Sequence, residues 1–425
     1  MDFVNRRVEL DALTRERAHG GLVVVFGRRR VGKTRLLGEW LKKEGGLYTQ
    51  AIEAGRELQL AQTWADVRHG FQSTIEPRSW SDFFELVDLQ PKPPTLCIDE
   101  FPYLVAADPS LPSIVQRFLD HRKHKSLLIL AGSSTRMMND ALLDRSAPLY
   151  GRARKIIQVD PMSYGAFSAA KHLAPSQSDT FTRFALVGGV PRYWELVSRT
   201  ESPIQLAEAL FFGTSPLLEF EPSRLLKDEG ISGLTALAVL EAIGRGAEKA
   251  SEIAGRLGTV QTNLSRLFQL LLDAGILARE LPFGESLRTT KRTLYRIVDP
   301  TLRFWFRVYS PHRTRWITHP PALQEKLLRD HAATVFEDVV RASTPGAARY
   351  WEGDVEIDSV RTKGDRLVVT EVKWTKLTKA ARAAVEQDLR ARFSRTQLSK
   401  KASRFSRVDF EVADSSALVN LAKAK

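Results

Sequence analysis

The octet Gly27-Arg28-Arg29-Arg30-Val31-Gly32-Lys33-Thr34 follows directly on the apolar run Leu22–Phe26 and constrains everything around it. A short β-branched run of this kind is a strand buried on both faces. Residues 35–43 continue with helical spacing, so the octet joins a strand to a helix. In that setting G-x-x-x-x-G-K-[ST] has a mechanism. The glycines let backbone N–H groups curl around a phosphate, and the helix N-terminus adds partial positive charge. Lys33 is placed to reach β- and γ-phosphates, Thr34 to ligate magnesium, and Arg35 to continue the same binding stretch. A chance glycine-rich turn would lack the flanking strand and helix.

A second motif completes the chemistry. Leu96-Cys97-Ile98-Asp99-Glu100 is an apolar strand ending in an acidic pair. Asp99 is expected to hold magnesium, directly or through water, and Glu100 to orient and deprotonate an attacking water. The bland alternative is a strand-end pair facing solvent. Ser133 and Ser134 end a further strand, where a hydroxyl can report on the γ-phosphate or cap the next helix. Arg145 and Arg152 can stabilise charge on a transferring phosphoryl group, in cis or across a subunit boundary. Either is equally an ordinary surface arginine.

Five strands are expected in residues 22–26, 45–51, 93–101, 126–134 and 153–161, separated by helices. That alternation implies a mostly parallel sheet covered on both sides. Residues 162–228 show only short helices and read as a helical lid. Residues 229–300 carry helices over 250–258 and 262–277, then two strands around a basic, glycine-containing tip. This is the helix-turn-helix-plus-wing pattern. Thr262, Asn263, Ser265 and Arg266 can face a major groove, and Arg288, Lys291 and Arg292 can meet phosphates. The aromatic run Leu302–Tyr309 reads as interdomain core. Residues 301–425 continue with a helix, three strands (ARYWEG, VEIDSVRT, RLVVTEVKW) and a basic end.

FVNRRVELDAL, GRRRVGKT, LCIDEF, GSSTRMM, APLYGR and GGVPRYW occur in an order that resembles the archaeal-type P-loop ATPases of the STAND/AAA+-like branch. The resemblance spans roughly the first half of the chain. It implies ATP and Mg²⁺ as cofactors, residues 1–161 as the ATPase core, Asn5 and Arg6 near the adenine pocket, and Ser133 as polar sensor. It also implies Arg152 as the finger-like arginine and Pro191, in the GGVP turn, closing over the nucleotide. No second sensor arginine is evident in the lid; Arg192 is the nearest candidate.

The C-terminal part resembles the PD-(D/E)xK, restriction-endonuclease-like α/β module, giving the expected architecture of a P-loop core, lid, winged helix and nuclease-like domain. Glu356 and Asp358 lie two apart on one strand, Glu371 and Lys373 two apart on the next. Residues two apart share a face, so a hairpin can gather all four. Two carboxylates, Asp358 and Glu371, can hold magnesium, which polarises a scissile phosphate, while Lys373 offsets developing charge. Glu337 resembles the additional acidic ligand of that superfamily. No proline precedes Asp358, a small departure. The alternative is a hairpin whose charges simply face solvent.

Lys and Arg number 63 against 50 Asp and Glu, a formal charge of +13. Between Thr375 and Arg407 the count is ten against two. Such an excess suits DNA, though a solvated basic surface carries the same charge. Cys97 is the lone cysteine, which excludes an intrachain disulfide or cysteine-rich zinc site and fits a cytoplasmic location. No signal pattern or 18-residue apolar stretch appears, so no membrane partner is expected. Three functions follow: an ATP-driven DNA-processing enzyme, a nucleotide-switched DNA-binding protein without cleavage, or a signalling or defence ATPase. An arginine acting across subunits would need a homo-oligomer.

Overall fold

The computed structural model describes residues 3–73, 75–133, 138, 142, 144–231, 233–288 and 290–423. Helix α1 (Arg7–His19) leads into strand β1 (Gly21–Phe26), every residue of which is buried. Then follow α2 (Lys33–Glu44), β2 (Leu47–Gln50), α3 (Arg56–Val67), α4 (Trp80–Asp88), β3 (Leu96–Asp99), α5 (Phe101–Ala107), α6 (Leu111–His121), β4 (Leu127–Gly132) and β5 (Ala153–Gln158). The five strands form one sheet in the order β2-β3-β4-β1-β5, paired parallel throughout. Alternate residues of β1 serve two cores. Leu22 and Val24 pack with Trp80 and Phe83 on one side, Val23 and Val25 with Trp40 and Leu37 on the other. Those two apolar faces explain why the strand lacks a polar alternation. Ser134 lies outside the described residues.

The lid region contains α7 (Tyr164–Lys171), α8 (Ser178–Val187), α9 (Pro191–Trp194) and α10 (Glu221–Asp228). It does not stand alone. Its Phe181 and Phe211 share a core with Phe304, Trp316, Phe336 and Val372 from the C-terminal part. Phe181 lies edge-on to Phe336, with centroids 5.5 Å apart, and 4.8 Å from Trp374. The aromatic run is interdomain core: Phe304, Val308 and Tyr309 are buried there.

Helices α11 (Leu234–Gly244), α12 (Ala250–Arg256) and α13 (Gln261–Asp273) precede an antiparallel hairpin of β6 (Leu277–Glu280) and β7 (Leu294–Ile297). On α13, Leu264, Phe268 and Leu271 turn inward, while Thr262, Asn263, Ser265 and Arg266 are exposed. The hairpin tip leans on the C-terminal unit. The Phe283 amide donates to the Arg349 carbonyl (2.8 Å), and Arg292 donates to the Trp351 carbonyl (3.0 Å) and pairs with Glu285. Arg292 is therefore engaged within the chain, contrary to the expectation of phosphate contact; Arg288 and Lys291 remain exposed.

Beyond α14 (Pro300–Phe304), helix α15 runs from Pro321 to Ala342. It is much longer than the segment after Pro320 suggested, because Pro320 and Pro321 start a helix here rather than break one. Strands β8 (Ala348–Glu352), β9 (Val355–Lys363) and β10 (Arg366–Lys373) form an antiparallel meander. Helix α16 (Lys379–Ser394) then crosses over to β11 (Arg407–Asp414), which pairs parallel to β10. The sequence reading missed β11. Its alternation of Val408, Phe410 and Val412 with Asp409 and Glu411 was the available signal.

Candidate functional site

The octet forms the turn at the C-terminal end of β1. A side chain at Gly27 would meet the Val159 carbonyl oxygen at 2.3 Å, so only glycine fits against the end of β5. Gly32 has open space but φ 96°, the left-handed region, which a glycine adopts without strain. Lys33 is 4% exposed. Its ammonium donates to the carbonyls of Gly27 (2.8 Å) and Arg28 (3.0 Å). Burial lowers its pKa, and the charges of Glu100 and Asp99 partly offset that. A buried cation resting on its own loop is the half-site an anionic triphosphate completes.

Asp99 ends β3, wholly buried. Its Oδ2 accepts from the Thr34 hydroxyl (2.6 Å) and the Tyr48 hydroxyl (3.1 Å), and its Oδ1 from the Glu100 amide (2.9 Å). The strand order brings this about: β3 is separated from β1 by β4 alone. Thr34 and Asp99 thus form a hydroxyl–carboxylate pair suited to magnesium, which would neutralise charge on a transferring phosphoryl group. Tyr48 is a further member that sequence reasoning missed. Burial, then Asp99, raises its pKa, so it stays a neutral donor.

Glu100 sits at φ 55°, a left-handed conformation rare for glutamate. Its carboxylate accepts from the Ser133 amide (3.1 Å) and the Ser133 hydroxyl. Ser133 therefore touches the candidate base itself, a connection no spacing in the sequence reveals.

Other expected residues lie differently. Arg6 is buried and donates to the carbonyls of Val31 (2.9 Å) and Asp160 (2.8 Å), bracing the loop against the end of β5. Asn5 is exposed, and Arg35, on the first turn of α2, lies 6.0 Å from the Phe3 ring. Arg152 precedes β5, and Ala153 pairs with Leu22 at the start of β1. That is the end of the sheet opposite the octet, and Arg152 is bound there to Asp120 (2.9 Å). A cis role for Arg152 is thereby excluded. Arg192 is exposed and paired with Glu195, so it supplies no sensor arginine. Pro191 opens α9, from which Tyr193 reaches inward instead.

The three octet arginines all leave the core domain. Arg28 pairs with Asp299 before α14, Arg29 with Asp228 on α10, and Arg30 with Glu221 on α10 (2.7 Å). Glu221 also accepts from the Tyr193 hydroxyl (2.5 Å), and Arg29 donates to the Tyr103 hydroxyl (2.7 Å). The loop expected to hold phosphate thus also ties the ATPase core to the segments after it. Replacing Glu221, 5% exposed, by glutamine keeps the Tyr193 bond but strands the Arg30 charge. The expected loss is about 1–3 kcal/mol of stability, read as a lower thermal midpoint. An unchanged midpoint overturns the pairing.

The second candidate site lies where β9 and β10 separate. Their ladder stops at Ser359–Thr370. Against β8, Ala348 pairs with Val360 but Tyr350 with Ile357, so β9 carries an extra residue at 358–359. This bulge re-aims Asp358. Its Oδ2 accepts from the Val372 amide (2.7 Å), in place of a ladder bond. The bulge also breaks the simple two-residue alternation: Glu356 is exposed and paired with Arg349 (2.5 Å), outside the cluster. Glu371 is 5% exposed. Lys373 Nζ donates to its Oε1 (2.7 Å), and Arg392 of α16 lies 2.8 Å from Oε2. Arg392 is the member the sequence did not reveal.

Asp358 is pushed up to about 6, by burial and then by the charge of Glu371. Glu337 of α15 rises to about 7, by burial and then by Asp358. A cation between Asp358 and Glu371 would relieve that repulsion, so this pair fits magnesium. Among the described residues no group of three or more acidic, histidine or cysteine side chains is gathered as a metal site. Both carboxyls bind protons more tightly folded than unfolded. They contribute stability below about pH 4 that is lost as pH rises through about 6–7. Glu337→Gln is expected to flatten that decline between pH 5 and 8 by about 2–4 °C in Tm. An identical slope in the variant overturns the assignment.

A parallel sheet with a phosphate-binding turn, a buried lysine and a hydroxyl–carboxylate pair defines a P-loop nucleotide hydrolase. Residues 3–197 match a family described as an ATPase domain predominantly from Archaea. That stretch is thus similar to archaeal ATPase domains. Residues 305–385 match a family of archaeal and bacterial proteins of unknown function. An uncharacterized protein of Methanocaldococcus jannaschii, MJECL04, is 27% identical over 412 residues, 88% of each chain. Among solved structures, an ORC2 protein of Aeropyrum pernix in ADPNP–ADP complexes aligns with 79% of this chain and 95% of its own, at 13% identity and TM-score 0.46. A RuvB variant of Thermotoga maritima aligns over 65% and 88%, at 17% identity and TM-score 0.35. Among the described residues no helix is long and apolar enough to cross a membrane.

Proposed function

We propose that this protein couples ATP binding and hydrolysis to the handling of DNA, with a metal-dependent phosphodiester-cleaving site in its C-terminal unit. The 2.6 Å bond between Thr34 and Asp99, beside buried Lys33, carries the ATP half of this reading. Lys33 holds the terminal phosphates, Thr34 and Asp99 hold magnesium, and Glu100, on release from Ser133, orients water and takes its proton. Main-chain amides of Gly27 to Lys33 receive the phosphates.

Residues 1–161 form the ATPase core and 162–228 the lid in this reading. Residues 229–300 form the winged helix and 301–425 the nuclease-like unit. The exposed side chains of Thr262, Asn263, Ser265 and Arg266 suit a groove, and exposed Arg288 and Lys291 suit phosphates. The order helix, three-strand meander, helix and parallel strand supports the nuclease-like reading, as does the meeting of Asp358, Glu371 and Lys373 at a bulge. Asp358 and Glu371 would hold magnesium, which polarises the scissile phosphate. Lys373 would hold the attacking water and offset charge on the phosphate. Arg152 acts only from a neighbouring subunit, if the protein assembles.

One observation favours a second reading, a nucleotide-switched DNA-binding protein without cleavage: Arg392 already supplies a cation to Glu371. The test is a nicking assay on supercoiled plasmid with Mg²⁺, with and without ATP, beside Glu371→Ala. Mg²⁺-dependent nicking lost in the variant supports cleavage. Plasmid retention without nicking selects the second reading, and neither retention nor nicking overturns both.

A further inference from the structure

A cavity of about 480 Å³ opens where α11, β7, α14 and α15 meet, remote in the chain from the phosphate loop. Four guanidinium groups line it, Arg245, Arg296, Arg303 and Arg307, against a single carboxylate, Glu248. They come from three segments: Arg245 follows α11, Arg296 lies on β7, and Arg303 and Arg307 sit one turn apart on the helical stretch that α14 opens. The hydroxyl of Thr334 adds a polar wall.

Arg245 is paired with Glu241 (2.6 Å), but the charge around the other three arginines does not balance. Asp338 serves Arg296, Arg303 (2.7 Å) and Arg341 (3.5 Å). Glu280 serves Arg296 (2.9 Å), Arg341 (3.6 Å) and Arg349 (3.0 Å). Two carboxylates are thus shared by four arginines; Arg349 alone draws further on Glu248 and Glu356. Arg296 Nε is out of contact with water and has no hydrogen-bond partner. Arg307 donates to the Thr334 hydroxyl (3.0 Å) and has no carboxylate partner among the described residues. Arg303, 4% exposed, is held down to about 9, by burial and then by the charge of Arg296. Neighbouring His331 is held down to about 3, by burial first, with Arg303 and Arg307 adding to it. Collecting buried like charges is costly unless an anion completes the set. Planar guanidinium forks match phosphoryl oxygens in particular.

We infer that this arginine-lined cavity is a second phosphate-binding site, separate from the ATP site, that takes a ligand bearing one or a few phosphoryl groups. The phosphate belongs either to a free nucleotide or to a nucleic-acid strand; both present the same oxygens. The cavity adjoins β7 and α15, so an occupant would touch the hairpin and the C-terminal unit together.

The test uses the full chain carrying Lys33→Ala, which removes the ATP site's main cation. Inorganic pyrophosphate is titrated by calorimetry. One saturable site is expected, weakened about tenfold or more by Arg245→Glu with Arg307→Glu. Both residues are exposed rim positions, and an unchanged thermal midpoint shows that the double variant folds. Arg307→Lys is expected to bind pyrophosphate more weakly than the parent but better than the double variant. Displacement of pyrophosphate by a single-stranded oligonucleotide identifies a strand as the source, and displacement by AMP or ATP alone identifies a free nucleotide. No saturable pyrophosphate binding, or binding indifferent to the rim changes, overturns the inference. ATP hydrolysis by the wild-type chain is measured separately, so failure of the P-loop assignment is distinguishable from failure of this one.

Discussion

Glu100→Gln is expected to lower steady-state ATP hydrolysis about 10²- to 10⁴-fold while leaving ATP binding near its original strength. The substitution keeps the shape at the end of β3 and the acceptor for the Ser133 amide. It removes the group able to take a proton from water. Lys33→Ala is expected to behave differently, losing binding as well as turnover, because a desolvated ammonium has no substitute in that loop. Radiolabelled phosphate release, paired with fluorescent-nucleotide titration, separates the two. Equal loss of binding in both variants would mean that Glu100 supports the loop rather than the chemistry. Ser133→Ala removes the hydroxyl contact to the Glu100 carboxylate while keeping the amide bond, and its effect on turnover reports whether that hydroxyl restrains the base.

Lys373→Ala is expected to reduce Mg²⁺-dependent plasmid nicking about 10²- to 10³-fold, with DNA retention little changed. Lys373 raises its own affinity for protons through Glu371, despite burial, and so stays charged at neutral pH. It is half-exposed, and its loss leaves no cavity. Its partner carboxylate retains Arg392 (2.8 Å), so folding is preserved. A Lys373→Ala protein that nicks at the parent rate sinks the cleavage assignment. Arg392→Gln is the informative companion. If Arg392 occupies the place a metal ion would take on Glu371, removing its charge lowers the Mg²⁺ concentration needed for nicking.

Much of the ATP site was legible in the amino-acid order because its chemistry is local. A glycine-bounded octet between strand and helix needs no distant residue to shape its backbone. The acidic pair after an apolar strand declares itself by composition. Strand positions followed for the same reason: residues 22–26 and 127–130 are apolar on both faces wherever the sheet is covered twice. Edge elements were harder. Strand β11 is half exposed and carries charged residues at alternate positions, so its signal is weak beside the basic helix before it.

The residues that the sequence hid are those whose meaning lies in a partner. Tyr48 matters through Asp99, Ser133 through Glu100, Arg392 through Glu371, and Arg28, Arg29 and Arg30 through Asp299, Asp228 and Glu221. Each pair spans tens or hundreds of positions along the chain. The position of Arg152, away from the octet of its own chain, has the same origin: a motif lists residues, whereas parallel pairing with β1 decides which end of the sheet they occupy. The bulge at 358–359 is a further case, since one extra residue in β9 turns Asp358 into the site and leaves Glu356 outside it.

The order of amino acids alone determined the phosphate loop, its acidic strand and the succession of elements, because short-range periodicity and glycine conformations encode them. Tertiary structure alone decided which charges meet. Coulomb and hydrogen-bond energies depend on distance in space and on exclusion of water, and neither is written in the spacing along a chain.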